Sequence, residues 1–194
     1  MKKIIMLLFI LATMTSCVSE DDLDTALAYC PTGEDISGPG STINITSGQR
    51  VAQELSMNGI IGATVYMDRI RLFMSSENLT SVSVKVYKDT EVPHSHTPDD
   101  GTLVGSATLT SGLGSADPAT EHDLYFSSPV PFQVGKTYYL VVDTAGGDFS
   151  MSITTPGYLP TSRINIYNGT NWTSPYGYDP NISFDTYYSH CTGI

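Results

Sequence analysis

Val82, Val84 and Val86 alternate with Ser81, Ser83, Lys85 and Tyr87, while Ile70, Leu72 and Met74 alternate with Arg69, Arg71 and Phe73. Apolar residues at every second position place one face of an extended strand in a core and leave the other in water. Further runs of this kind cover 49–57, 62–67, 102–110, 122–127, 137–143, 148–154, 163–167 and 182–188, separated by Gly, Pro, Asn and Asp. With about ten short strands at turn-like spacing and no helical periodicity in the body of the chain, the expected fold class is all-β. The architecture expected is a single antiparallel β-sandwich, jelly-roll-like, without internal repeats or a second domain.

The start of the chain has a different character. Lys2 and Lys3 precede an apolar run from Ile4 to Ala12, followed by Met14-Thr15-Ser16-Cys17. A charged start, a short apolar stretch and small residues at a cleavage point make a secretory signal, too short to cross a bilayer as a helix. Residues 17–41 are acidic and then rich in Gly, Pro and Ser, as in Ser37-Gly38-Pro39-Gly40-Ser41, a composition that suits a tether. The expected organisation is therefore a leader over 1–16, a tether over 17–41 and the sandwich over 42–194.

Thr15-Ser16-Cys17 resembles a bacterial lipobox, with Met14 where that family prefers Leu. The resemblance implies that Cys17 becomes the N-terminus and carries lipid. Ser19-Glu20-Asp21-Asp22 is similar to the Bacteroidota-type lipoprotein export signal, which implies transport to the outer membrane and exposure at the cell surface.

Charge narrows the partners. Loss of Lys2 and Lys3 with the leader takes the formal charge from −11 to −13. The basic residues that remain, Arg50, Arg69, Arg71, Lys85, Lys88, Lys136 and Arg163, form no run. Nucleic acid and anionic lipid headgroups need clustered Lys and Arg, so neither is an expected partner. With Cys17 committed to lipid, Cys30 and Cys191 remain as a pair that an oxidising compartment would bridge, clipping the two ends of the domain together. The alternative is two unrelated thiols.

Gln53-Glu54-Leu55, the strand from Leu79 to Tyr87, Asp100-Gly101-Thr102-Leu103-Val104 and the stretch from Phe126 to Val142 occur in this order. The last contains Phe126-Ser127-Ser128-Pro129-Val130 and Gly135-Lys136-Thr137-Tyr138-Tyr139. Together they resemble the jelly-roll domains of secreted bacterial proteins known as choice-of-anchor domains or domains of unknown function. The resemblance implies a non-catalytic accessory or adhesive sandwich and supplies neither ligand nor site residues. The aromatic-rich segment from Tyr158 to Tyr178 departs from that pattern.

Candidate sites follow from side-chain chemistry. Tyr158, Tyr167, Trp172, Tyr176, Tyr178, Tyr187 and Tyr188 concentrate among Asn, Gly, Ser and Pro near the C-terminus. Aromatic faces stack on sugar rings while Asn and Asp bind hydroxyls, so Trp172, Tyr176 and Tyr178 are the candidate ligand-binding residues. Glycan binding at such a platform predicts exposed, coplanar rings. The competing reading places Tyr188 in the core, in phase with Ile182 and Phe184, and makes Trp172 a plug at one end of the sandwich.

His94-Ser95-His96 with Asp99-Asp100 has the donor types of a zinc or calcium site, but Pro93 and Pro98 mark a solvated loop, and no metal or other cofactor is expected. Gly135-Lys136-Thr137 lacks the leading glycine of a phosphate loop, and no nucleophile elbow or His-Glu-x-x-His helix is present, so the chain is not read as an enzyme. Sequons at Asn44, Asn78, Asn168, Asn171 and Asn181 are read as chance. Asp24-Thr25-Ala26 and Asp143-Thr144-Ala145 resemble a short O-glycosylation motif of the same bacterial group, the first the better placed. The expected function is non-catalytic binding of a glycan or other extracellular ligand, with surface proteins as the other partner class. The alternatives are a structural or protein-interaction subunit of an envelope assembly and, last, a hydrolase.

Overall fold

The computed structural model describes residues 41–56, 61–76, 78–90, 97–114, 117–118, 120–154, 164–174 and 181–193. The leader and residues 17–40 of the tether, with Cys17, Ser19, Glu20, Asp21, Asp22 and Cys30, therefore lie outside the described residues, as do His94, His96, Tyr176 and Tyr178, whereas Ser41 already opens the first strand.

Twelve strands are described: β1 (Ser41–Ile45), β2 (Arg50–Ser56), β3 (Thr64–Ser76), β4 (Ser81–Lys88), β5 (Thr102–Leu109), β6 (Glu121–Gln133), β7 (Thr137–Ala145), β8 (Phe149–Thr154), β9 (Ile164–Tyr167), β10 (Trp172–Thr173), β11 (Asn181–Ile182) and β12 (Phe184–Thr192). All pairings are antiparallel. The first sheet runs β1-β8-β3-β12, with β6 also on β3 and β11 on β8; the second runs β10-β9-β2-β7-β4-β5. The chain crosses between sheets after β1, β2, β3, β5, β6, β7, β8 and β10, so each sheet is assembled from segments distant in sequence.

The core fills the space between the sheets. Val65, Met67, Ile70, Leu72 and Leu124 from the first meet Val51, Val82, Val84, Val86, Leu140 and Val142 from the second, all nearly or fully inaccessible to solvent. These are the alternate positions of each strand, and their burial supplies most of the driving force. The all-β sandwich read from the alternation is the observed fold.

Some element boundaries differ from the sequence reading. The runs at 62–67 and 69–74 are one strand, β3, because a bulge opposite Met67 and Arg69 shifts the alternation by one residue. β6 continues to Gln133 through Pro129 and Pro131, six residues beyond the expected end at Ser127. β1 and β10 are not among the runs read from the sequence: β1 alternates only through Ile43 and Ile45, and β10 is two residues long.

Candidate functional site

Strand order brings Trp172 next to residues that its own segment does not contain. β9 and β10 form a hairpin in which Asn168 Oδ1 accepts hydrogen bonds from the backbone N–H groups of Thr170 and Asn171 at 3.0 and 2.9 Å. This turn sets Trp172 directly across from Tyr167. β9 pairs in turn with β2, placing Arg50 opposite Tyr167. The three side chains make one row on the outer face of the second sheet.

The loop before β5 folds over this row. A turn from Thr97 to Asp100 carries Asp99 inward, and Gly101 lets the loop close on β4, since a Cβ there would lie 2.3 Å from the Lys88 carbonyl oxygen. Asp99 Oδ2 accepts from Arg50 Nη1 at 2.7 Å, and its Oδ1 accepts from Trp172 Nε1, also at 2.7 Å. The Arg50 guanidinium sits 4.1 Å from the Tyr167 ring centre and 5.2 Å from that of Trp172, and the two rings are tilted by 51°. Arg50 and Asp99 are each 22% exposed, so this ion pair is neither fully screened nor fully desolvated.

Below the row, Ala52, Tyr139 and Val141 are buried on what would otherwise be a solvent face, with Tyr87 and Trp172 packed against them. Burial pushes the Tyr87 phenol up, as does the Asp99 carboxylate, while Arg50 pulls it down. Tyr87 thus stays a protonated donor beside the cluster.

A cavity of about 490 Å³ lies over these residues. Tyr167 and Trp172 supply aromatic surface, Arg50, Asp99 and Asp100 supply charge, and Thr97, Thr170 and Asn171 supply hydroxyl and amide groups. Its size lies within the usual range for ligand clefts, and its lining combines apolar faces with convergent polar groups. Trp172 is half-buried and held by Asp99 rather than free, and the tilted rings form a cleft. The coplanar, exposed platform expected from composition is not what Trp172 and Tyr167 make, because the indole N–H and the guanidinium fix both rings at an angle.

Two other surfaces stand out. A larger hollow of about 750 Å³ lies between the ends of β1 and β3 and the β7–β8 turn, lined by groups such as Asn44, Ser75, Asn78 and Asp148. Its one ring, Phe149, is buried in the core and offers no stacking face. On the outer face of the first sheet, Arg69 lies 3.5 Å above the Tyr187 ring centre, and Tyr66 stacks on His190 at 4.2 Å. Asp123 pairs there with Arg69 and Arg71 at 2.8 and 2.7 Å, so the polar groups of this face are largely engaged with one another.

The remaining expectations fall out as follows. Tyr188 packs half-buried against the core, in phase with Ile182 and Phe184. Cys191 is disulfide-bonded and also packs against the core. Asp99 and Asp100 belong to the aromatic cleft, and among the described residues no group of three or more His, Cys, Asp and Glu side chains could hold a metal. Asn181 is buried and bonded to Gln53, which removes it as a glycan acceptor. The Thr144 hydroxyl of the second Asp-Thr-Ala segment is likewise buried. Composition pointed to Trp172 within an aromatic segment that includes Tyr167; their meeting with Arg50, Asp99 and Tyr87 came only through the fold.

No protein-family model matches the chain, and no curated protein matches it. One solved structure similar to it is that of CsCBM6-3 from Clostridium stercorarium in complex with cellobiose, at 18% identity over 63% of this chain and 79% of that one, with a TM-score of 0.35. A likeness that distant carries no argument about a ligand.

Proposed function

We propose that this chain is a lipid-anchored protein of the outer cell surface whose sandwich binds glycans, without catalysis, in the cleft between Tyr167 and Trp172. The observation that carries the reading is the cluster itself: two aromatic faces held at a fixed angle by Arg50 and Asp99, ringed by hydroxyl, amide and carboxylate groups. Sugar rings present apolar C–H faces for stacking and hydroxyls for hydrogen bonding, and this lining offers both. Asp99 is committed to Arg50 and the Trp172 indole, a positioning role rather than that of a general acid. Among the described residues, the large exposed apolar side chains Ile61, Leu103 and Tyr125 stand apart, before β3, on β5 and on β6, which gives less support to an assembly interface than a contiguous patch would.

A glycan array and polysaccharide pulldown with the full chain tests the binding reading, run beside Trp172→Ala. Binding that the variant loses is the expected outcome; silence of the wild-type protein across the array would remove the proposal. The anchor is tested separately by intact mass from cells. A mature N-terminus at Cys17 bearing acyl mass, abolished by Cys17→Ser, is expected, and an unmodified chain of full length would exclude it.

A further inference from the structure

We infer that the cleft selects uncharged glycans and rejects uronate- and sulfate-bearing ones. This inference rests on the glycan reading of the cleft and specifies the class of sugar it takes. Arg50 is the one cation among the described residues of the lining, and its charge is already paired: Asp99 sits on its Nη1 at 2.7 Å and the Tyr167 ring covers its face at 4.1 Å. An incoming carboxylate would either displace Asp99 and leave the Trp172 N–H without the acceptor it holds at 2.7 Å, or share the guanidinium with Asp99 and meet its negative charge. Asp100 contributes a second carboxylate to the same lining. The cleft therefore carries one positive and two negative groups, within a chain of formal charge −11. Hydroxyls of a neutral sugar meet none of these costs, since Asp100, Thr97, Thr170 and Asn171 can accept from or donate to them without rearranging the Arg50–Asp99 pair.

Matched polysaccharide pairs that differ only in charge make the test: hydroxyethylcellulose against carboxymethylcellulose, dextran against dextran sulfate, and methyl-esterified pectin against polygalacturonate. Affinity of the full chain is measured by retardation in native gels at low and high salt. Trp172→Phe and Asp100→Asn variants are run in parallel, each checked for an unchanged thermal midpoint. The neutral member of at least one pair is expected to bind about tenfold more tightly at low salt, with the gap narrowing as salt screens the carboxylates. Asp100→Asn is expected to narrow the gap at low salt, and Trp172→Phe, which keeps a ring but drops the Asp99 bond, to weaken binding of the neutral member. Equal or tighter binding of the acidic members, still sensitive to Trp172→Phe, would overturn the charge selection while leaving the glycan reading in place. No retention of any member would overturn both.

Discussion

Gln53 lies in the middle of the core with no exposed surface, flanked on its own strand by Val51 and Leu55 on the same face. It survives there because its amide spans the two sheets. Oε1 accepts from the backbone N–H of Ile182 at 2.9 Å, and Nε2 donates to Asn181 Oδ1 at 3.2 Å and to the Glu54 carbonyl at 3.3 Å. β2 belongs to the second sheet and β11 to the first, so this side chain ties the two where the backbone cannot. Gln53→Leu keeps the volume and removes the partners. Removing the hydrogen bonds that two buried polar groups make to Gln53 costs about 1–3 kcal/mol each, so a loss of about 2–6 kcal/mol in urea unfolding is expected. An unchanged midpoint and slope would mean that the bridge contributes nothing. The sequence placed Gln53 in a strand over 49–57; its burial and the partners it finds came from the fold.

At the level of elements, β6 shows how a strand tolerates residues that ordinarily end one. Val134 N–H donates to the Ala63 carbonyl on the β3 side, whereas Gln133 N–H donates to the Tyr138 hydroxyl at 2.8 Å. Backbone nitrogens alternate along a strand, so those of Pro129 and Pro131 share the side of Gln133, away from β3, and no ladder bond is lost. The sequence reading ended this strand too early because proline's effect depends on which edge is paired. Across the sandwich, β5 comes so close to β6 that a Cβ at Gly105 would lie 2.2 Å from Val130 Cγ2. Gly105→Ala is expected to destabilise the fold by about 1–3 kcal/mol through overpacking. Val130→Ala in the same chain removes the nearest methyl groups and should recover part of that loss, giving a non-additive double-mutant cycle. Strict additivity of the two changes would contradict the close approach.

For the molecule as a whole, the outer face of the first sheet ties stability to pH. Hydrogen bonds from Arg71 and the charges of Arg69 and Arg71 hold the Asp123 carboxyl below its ordinary value, against an opposing effect of burial. A carboxylate whose folded value is depressed contributes stability that is fully present above its unfolded value, near pH 4, and is lost as pH falls through the folded value. Asp123→Asn should therefore lower stability at neutral pH and flatten the decline below about pH 4. Urea midpoints of both proteins between about pH 2 and 7 provide the measurement. Parallel curves across the acid range would assign the acid sensitivity to other groups.

Local chemistry was enough to establish the class of fold. Which residues face inward is decided by alternation over a few positions, and the strands around Val84, Leu72 and Leu140 were legible for that reason. It also drew attention to Trp172, since aromatic residues among Asn and Gly are a matter of composition. The neighbours of each strand, and so the site, depend on pairings between segments far apart. Asp99 meets Arg50 across 49 residues of chain and Trp172 across 73. No period or motif encodes such a meeting, because it arises from the order of strands in the sheet and from a loop that Gly101 allows to close over it.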